Sequence, residues 1–239
     1  MRKISIVFSE TALELIPLGL QTNGIITDEA KKRHLKPGQM ILDSNKHFLP
    51  MKGLQNFEKR GRPDIIHFSL LTALESIANK QGMIESVFVH TQNNDLLEIS
   101  PKTRLPRIYN RFVGIMEQVL FGKSTDLIRI QRNISFENAF EQNALGKSGT
   151  APSIYFFNES GDELLLRKFA KTMQKEIDEK TDSPIIFVFG CFPHGTFSKG
   201  IRTYLLSKDA TEVKFCGDTL TVWTLVGTAI NLYELEAGL

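Results

Sequence analysis

Residues 153–190 read SIYFFNESGDELLLRKFAKTMQKEIDEKTDSPIIFVFG, two dense apolar runs on either side of a helix-forming segment expected from Glu163 to Ile177. Apolar runs that do not alternate with polar residues suit strands covered on both faces, and a strand, helix, strand sequence is the repeating unit of a parallel sheet. The fold class predicted is therefore α/β with a largely parallel sheet. Ligands of such sheets gather beyond the carboxyl ends of the strands. Three loops hold that position: 157–161, 190–195 and 215–220. The middle one, GCFPHG, carries Gly190 and Gly195 for close backbone approach and Pro193 for stiffness.

Working outward, the chain downstream is expected to form a short strand near 203–206 and a final helix from Thr219 to about Glu236. Upstream lies NALGKSGTAP (143–152), a small, polar linker. Its Gly146-Lys147-Ser148 mimics the end of a phosphate-binding loop, but Glu141 stands where that motif needs glycine, so the motif is rejected. Further upstream a first strand at 3–8 precedes a helix at 11–20. Residues 27–55, polar and broken by Pro37, Gly38 and Pro50, are expected to wrap over the surface. A helix from about Asp64, strands SVFVHT and DLLEIS, an arginine-bearing helix and a strand DLIRI complete the first half.

Composition narrows the function classes. At 239 residues with 41% hydrophobic and 23% charged content, the chain can bury a full core without staples. A net charge of +2, from 29 basic and 27 acidic residues, confines any nucleic-acid binding to local clusters. No run reaches the apolar length of a membrane span, and MRKISIVFSE turns polar too early for a secretion signal, which implies a cytoplasmic protein. Two cysteines, Cys191 and Cys216, outside any CxxC pattern, and five scattered histidines imply neither a disulfide framework nor a metal site. The lack of G-x-G-x-x-G removes support for a dinucleotide site.

The local cluster is found at RGRPDIIHFSLLTALES (60–76) and SPKTRLPRIYNRFVGIMEQVL (100–120). Pro63 suits a first helical turn, and Asp64 follows it near the positive end of the helix defined by Ile66, Leu70, Leu74 and Ile77. Asp64 is read as a plain cap, as a holder of Arg62, or as a group that orients a base. Arg104, Arg107 and Arg111 surround Pro106, taken as the start of a helix on which Arg107 and Arg111 share a face. Ile108, Phe112, Ile115 and Val119 would bury the adjacent stripe. Planar guanidinium forks on a rigid element suit phosphate oxygens. An ordinary solvated helix face with a few ion pairs is the competing explanation.

Taken together, the RPD turn, R-x-P-R-x-x-x-R-F, GCFPHG and the terminal FCGDTLTVWTLVGTAINLYE resemble the Nep (Emg) family of small-subunit rRNA pseudouridine methyltransferases, in the SPOUT superfamily. The resemblance spans nearly the whole chain, and the PHG loop and short N-terminus look like its archaeal branch. It implies a single domain, 1–239, with a C-terminal trefoil knot, helices on both faces of the sheet and family-specific insertions in the N-terminal half. RNA-binding elements would lie at about 27–111 and the knotted cofactor part at about 150–239. S-adenosylmethionine would meet Phe157 and Asn158 in the first loop, Gly190 and Gly195 in the second, and Phe215, Cys216, Gly217, Asp218, Thr219 and Leu220 in the third. Arg62, Asp64, Arg104, Arg107 and Arg111 match the family's RNA-binding positions, Asp64 and Arg62 also its catalytic ones. His194 inherits no role. A homodimer is implied, with Trp223, Val226 and Ile230 of the last helix at its interface or in the core. The function expected is methylation of N1 of a pseudouridine in small-subunit rRNA. The alternatives are an rRNA-binding assembly factor with methylation dispensable or lost, and a related enzyme acting on tRNA.

Overall fold

A computed structural model describes residues 1–145, 151–161, 164–179 and 183–239. Along the chain run β1 (Ile4–Thr11), α1 (Gly24–Arg33), α2 (Ser44–Met51), α3 (Pro63–Leu74), α4 (Ile77–Lys80), β2 (Ile84–Thr91), β3 (Leu96–Ile99), α5 (Tyr109–Leu120), β4 (Ile128–Gln131) and α6 (Phe136–Ala139). The second half contributes β5 (Ser153–Phe157), α7 (Leu166–Asp178), β6 (Ile185–Gly190), α8 (Lys199–Ser207), β7 (Thr211–Val213) and α9 (Val222–Ala237).

The strands form one sheet in the order β4-β3-β2-β1-β6-β5-β7. The pairings β1 with β2, β1 with β6, β5 with β6 and β5 with β7 are parallel, while β3 and β4 extend the edge antiparallel. Side chains alternate along each strand between two cores. Ile6, Phe8, Tyr155, Phe157, Phe187 and Phe189 pack under α3, α5, α7 and α9. Val7, Phe88, Phe156, Ile186 and Val188 pack with α6 and α8 on the opposite face. Both faces are covered, which is why the strands read as continuous apolar runs.

Several expectations need correction. Residues 11–20 are not a helix: Thr11 closes β1, Pro17 holds the chain extended, and only Leu18–Leu20 make a 3₁₀ turn. The 203–206 segment is helical, inside α8, because Ile201 and Leu205, four apart, both face the core. A strand, β7, lies just beyond it and went unpredicted. The surface wrap contains α1 and α2 and a small core of its own, built on Ile16, Ile26, Ala30, Met40, Leu42 and Met51. The arginine helix begins at Tyr109 rather than Pro106, since the Pro106 carbonyl is taken by His67 Nε2 at 2.7 Å and Ile108 is extended. Arg107 therefore precedes the helix, Ile108 is exposed, and the buried stripe runs Phe112, Val113, Met116, Val119, Leu120. The last helix starts at Val222 rather than Thr219. Glu163, expected to begin α7, and Gly146-Lys147-Ser148 lie outside the described residues.

Arg2 fastens the amino end of β1 to its neighbours. It is 2% exposed, donates from Nε to the Ser183 carbonyl at 3.0 Å, and pairs with Glu176 and, at 3.0 Å, with Glu179. Its removal leaves the Glu176 carboxylate in a half-dry site without its cation. Arg2→Met is expected to cost about 3 kcal/mol, or roughly 6–12 °C in Tm, in thermal unfolding; an unchanged Tm would refute this account of the pair.

Candidate active site and nucleic-acid interface

The carboxyl ends of β5 and β6 and the segment entering α9 enclose a cavity of about 360 Å³, within the range of roughly 300–1,000 Å³ that small-molecule sites occupy. Of the residues expected to hold a cofactor, Phe157, Asn158, Gly190, Gly195, Thr219 and Leu220 line it. Phe215 does not; its buried ring sits behind the wall, 5.3 Å from that of Phe157. Cys216, Gly217 and Asp218 are not wall residues either, and belong to the loop that leads into it. Sequence reasoning missed Phe192 and did not place Trp223 here. His194 lines the cavity too.

The wall is held rigidly from behind. Asn158 continues the pairing just beyond β5, its backbone N–H donating to the Val213 carbonyl at 3.0 Å, while its side chain donates to Glu212 at 2.6 Å. Glu212 is gripped on its other side by Arg202, with Nη2 at 2.6 Å. Burial alone would raise the Glu212 carboxyl, but Arg202 and Asn158 together outweigh it and hold it below the usual range. The two loop glycines have different causes. A Cβ at Gly190 would fall 2.7 Å from the Phe192 ring, so this glycine makes room for a side chain of its own loop. Gly195 has φ of +89°, a conformation that side chains resist.

Arg62 stands on the same cavity wall. Its guanidinium meets Asp64 in a two-pronged pair, with Nε and Nη2 each 2.8 Å from a carboxylate oxygen. Pro63 opens α3 between them, and Asp64 sits in its first turn. Asp64 is thus both a charge at the positive helix end and the partner that sets the angle of Arg62. Behind this pair, Tyr109 donates its hydroxyl to Asp43 at 2.7 Å. Burial first, then the Asp43 carboxylate, drives the Tyr109 hydroxyl well above its usual range, so it stays a donor. Asp43 and Tyr109 are 66 residues apart, and nothing in the sequence announces their contact.

Arg104, Arg107 and Arg111 are all exposed, and none of their side chains makes a hydrogen bond or close ion pair to the described residues, with Glu75 the carboxylate that feels the charges of Arg107 and Arg104. The structure brings Arg62 and Asp64 together at the cavity and leaves these three on the neighbouring surface.

Residues 6–234 match the model of the EMG1/NEP1 methyltransferase family. The chain belongs to that family. It is 35% identical over 241 residues to the ribosomal RNA small subunit methyltransferase Nep1 of Thermococcus kodakarensis, covering 99% of this chain and 100% of that one. The Nep1 of Pyrococcus furiosus is 32% identical, with 98% of each chain covered. Among solved structures, Archaeoglobus fulgidus Nep1 bound to S-adenosylhomocysteine matches with a TM-score of 0.80 and 29% identity over the full length of both chains. No helix among the described residues is long and apolar enough to cross a membrane, and no group of His, Cys, Asp and Glu among them is placed to hold a metal ion.

Two buried histidines give this family member a defined response to acid. His47 accepts the Asp43 N–H at Nδ1 and donates from Nε2 to Glu29 at 3.0 Å, the pattern of a neutral ring. Burial is the main reason that both His47 and His90 are held below the ordinary histidine range. As pH falls below about 6.5 the unfolded chain takes up these protons before the fold does, so stability rises with pH there and is lost on acidification. Urea unfolding between pH 7.5 and 5.5 is expected to show a falling midpoint, with His90→Asn flattening the slope; a pH-independent midpoint in the parent protein contradicts the reading.

Proposed function

We propose that this chain transfers the methyl group of S-adenosylmethionine to N1 of a pseudouridine in small-subunit ribosomal RNA, in the cytoplasm and in the service of small-subunit assembly. The observation that carries the reading is the placement of Arg62, paired to Asp64, on the wall of the cavity formed by the 157–161 and 190–195 loops and the entry to α9. That cavity has the size for a nucleoside with a short tail. Its walls combine an aromatic residue, Phe157, with polar groups of Asn158, Glu159 and Thr219 and with backbone freed by Gly195. In this reading Phe157, Gly190, Gly195, Thr219 and Leu220 hold the cofactor, while Phe215, Cys216, Gly217 and Asp218 shape the loop that closes against it.

Bound there, S-adenosylmethionine supplies a methyl group on a sulfonium, ready for in-line displacement. The protein's own part is orientation and proton handling. Arg62 steadies the target nucleotide at the cavity rim. Asp64 fixes the Arg62 guanidinium and takes the N1 proton, directly or through water. Arg104, Arg107 and Arg111, exposed and without close ion pairs to the described residues, clamp phosphates of a loop whose target base is splayed out.

The same proposal includes one domain over 1–239, RNA-binding elements at about 27–111, family-specific insertions in the N-terminal half, and a knotted cofactor part at about 150–239. The knot would involve the chain beyond β7, which returns to the cavity at Thr219. Dimerisation is proposed as well. Val226 and Ile230 are core residues, so the surface that favours a partner copy is the Phe68 ring, 48% exposed and 5.3 Å from that of Trp223.

Methyl transfer from labelled S-adenosylmethionine to a small-subunit rRNA hairpin with pseudouridine, beside the same hairpin with uridine, tests the activity. Label on the pseudouridine hairpin alone is expected; label on neither, with tight RNA binding, favours an assembly factor. Asp64→Asn should lower the rate about 10²–10⁴-fold with S-adenosylhomocysteine binding retained. Arg107→Ala and Arg111→Ala should weaken RNA binding and reduce its salt slope by about 0.7–0.9 logarithmic units per phosphate lost. Unaltered binding in both would remove them from the interface.

A further inference from the structure

Lys59 lies outside the residues already given a role, yet it touches the cofactor-side loop at several points. Its Nζ donates to the Thr196 carbonyl at 2.5 Å and lies 4.2 Å from the centre of the Phe192 ring. The same ammonium faces a carboxylate oxygen of Glu10 at 3.9 Å. Its stem packs on Gly195, where a Cβ would come within 3.2 Å of Lys59 Cε. A single cation thus grips residues 192, 195 and 196, the span that turns the cavity wall.

Glu10 is built for this arrangement. It has φ of 49°, uncommon for a side-chain-bearing residue, and falls where the register of β1 against β2 shifts. From there its carboxylate accepts the Ser198 N–H at 2.8 Å. Gln92 adds a further tie, its side-chain amide donating to the carbonyls of Glu10 and Lys59. The far side of this seam is a second, wide cavity that shares His194 and Gly195 with the first, so the loop has open space on both sides. Phe192 packs edge-to-face on the buried Phe197, and the Lys59 and Glu10 contacts hold the rest of the loop.

We propose that Lys59 is a positioning residue for the cofactor, holding the 192–196 loop in its binding shape through Thr196, Phe192 and Gly195. The inference rests on the methyltransferase reading above. It makes the cofactor pocket depend on a side chain from the segment that follows the N-terminal wrap, three residues before Arg62. An ammonium donating to a carbonyl and lying over a ring is replaceable by a guanidinium, which offers the same charge and a flat face for the ring.

The test is calorimetric titration with S-adenosylhomocysteine of the parent protein, Lys59→Met and Lys59→Arg, with Tm and steady-state kinetics for each. Lys59→Met is expected to raise Kd and the KM for S-adenosylmethionine about tenfold while kcat at saturation stays within about twofold. Lys59→Arg should recover most of the affinity. Unchanged Kd in Lys59→Met overturns the proposal. So does a loss of affinity that Lys59→Arg fails to restore and that comes with a lowered Tm, the mark of general destabilisation. A parent protein that does not bind S-adenosylhomocysteine at all would instead sink the cofactor reading, and this proposal with it.

Discussion

Three backbone hydrogen bonds at the carboxyl end of the central strand decide where the site can be. Cys191 N–H donates to the Ser9 carbonyl at 2.9 Å, Ala12 N–H to the Cys191 carbonyl at 2.9 Å, and Arg62 N–H to the Ala12 carbonyl at 3.2 Å. Segments separated by 50 and by 129 residues thereby share one ladder beyond the sheet. Buried amides must find partners, so these segments cannot drift apart without leaving donors unpaired. Cys191 suits the junction because it is small and fully buried, and burial pushes its thiol well above the usual range, so it stays an inert hydrophobe. Where Arg62 is pinned, α3 must start at Pro63, whose missing N–H costs a first turn nothing.

The arginines divide by what neutralises them. Arg33 meets Glu117 and Arg60 meets Glu14 in two-pronged pairs with a largely buried carboxylate. These pairs set the orientation of one segment against another, and their charge is already answered. Arg104, Arg107 and Arg111 have no such answer, and the exposed positive charge they leave is local, in a chain whose net charge is only +2. A polyanion is drawn to unpaired cations rather than to a total, which reconciles an almost neutral protein with an RNA substrate.

The legible parts of the sequence were those governed by local periodicity. The 153–157 and 185–190 strands and the helix after Pro63 follow from apolar density and turn residues, and a cavity at the carboxyl ends of β5 and β6 follows from the parallel sheet. What failed depended on distant partners. Pro106 looked like a helix start, but His67 from another helix captures its carbonyl. The 203–206 stretch has strand-forming composition, yet the register of Ile201 and Leu205 against the lower core makes it a helix. Tyr109, Asp43 and Lys59 carried no signal because each acts through a residue far away in sequence.

That pattern has a physical cause. Apolar burial is strong but not directional, so the two main cores fix which faces of the elements meet without fixing the angle of a side chain at a cavity rim. Directional contacts supply that angle. The wrap has a small core of a few side chains, too little to hold it in register by packing alone. It is instead tied to α5 through Arg33 with Glu117 and through Tyr109 with Asp43, while the segment just after it is tied through Arg60 to Glu14, beyond the end of β1, and through Lys59 to the 192–196 loop. Each tie ends within a few residues of an arginine or a loop assigned to the site. In the proposed function, a wrap fastened by directional bonds at these points positions the RNA-facing and cofactor-facing groups together, and a substitution in it would reach both without touching either ligand.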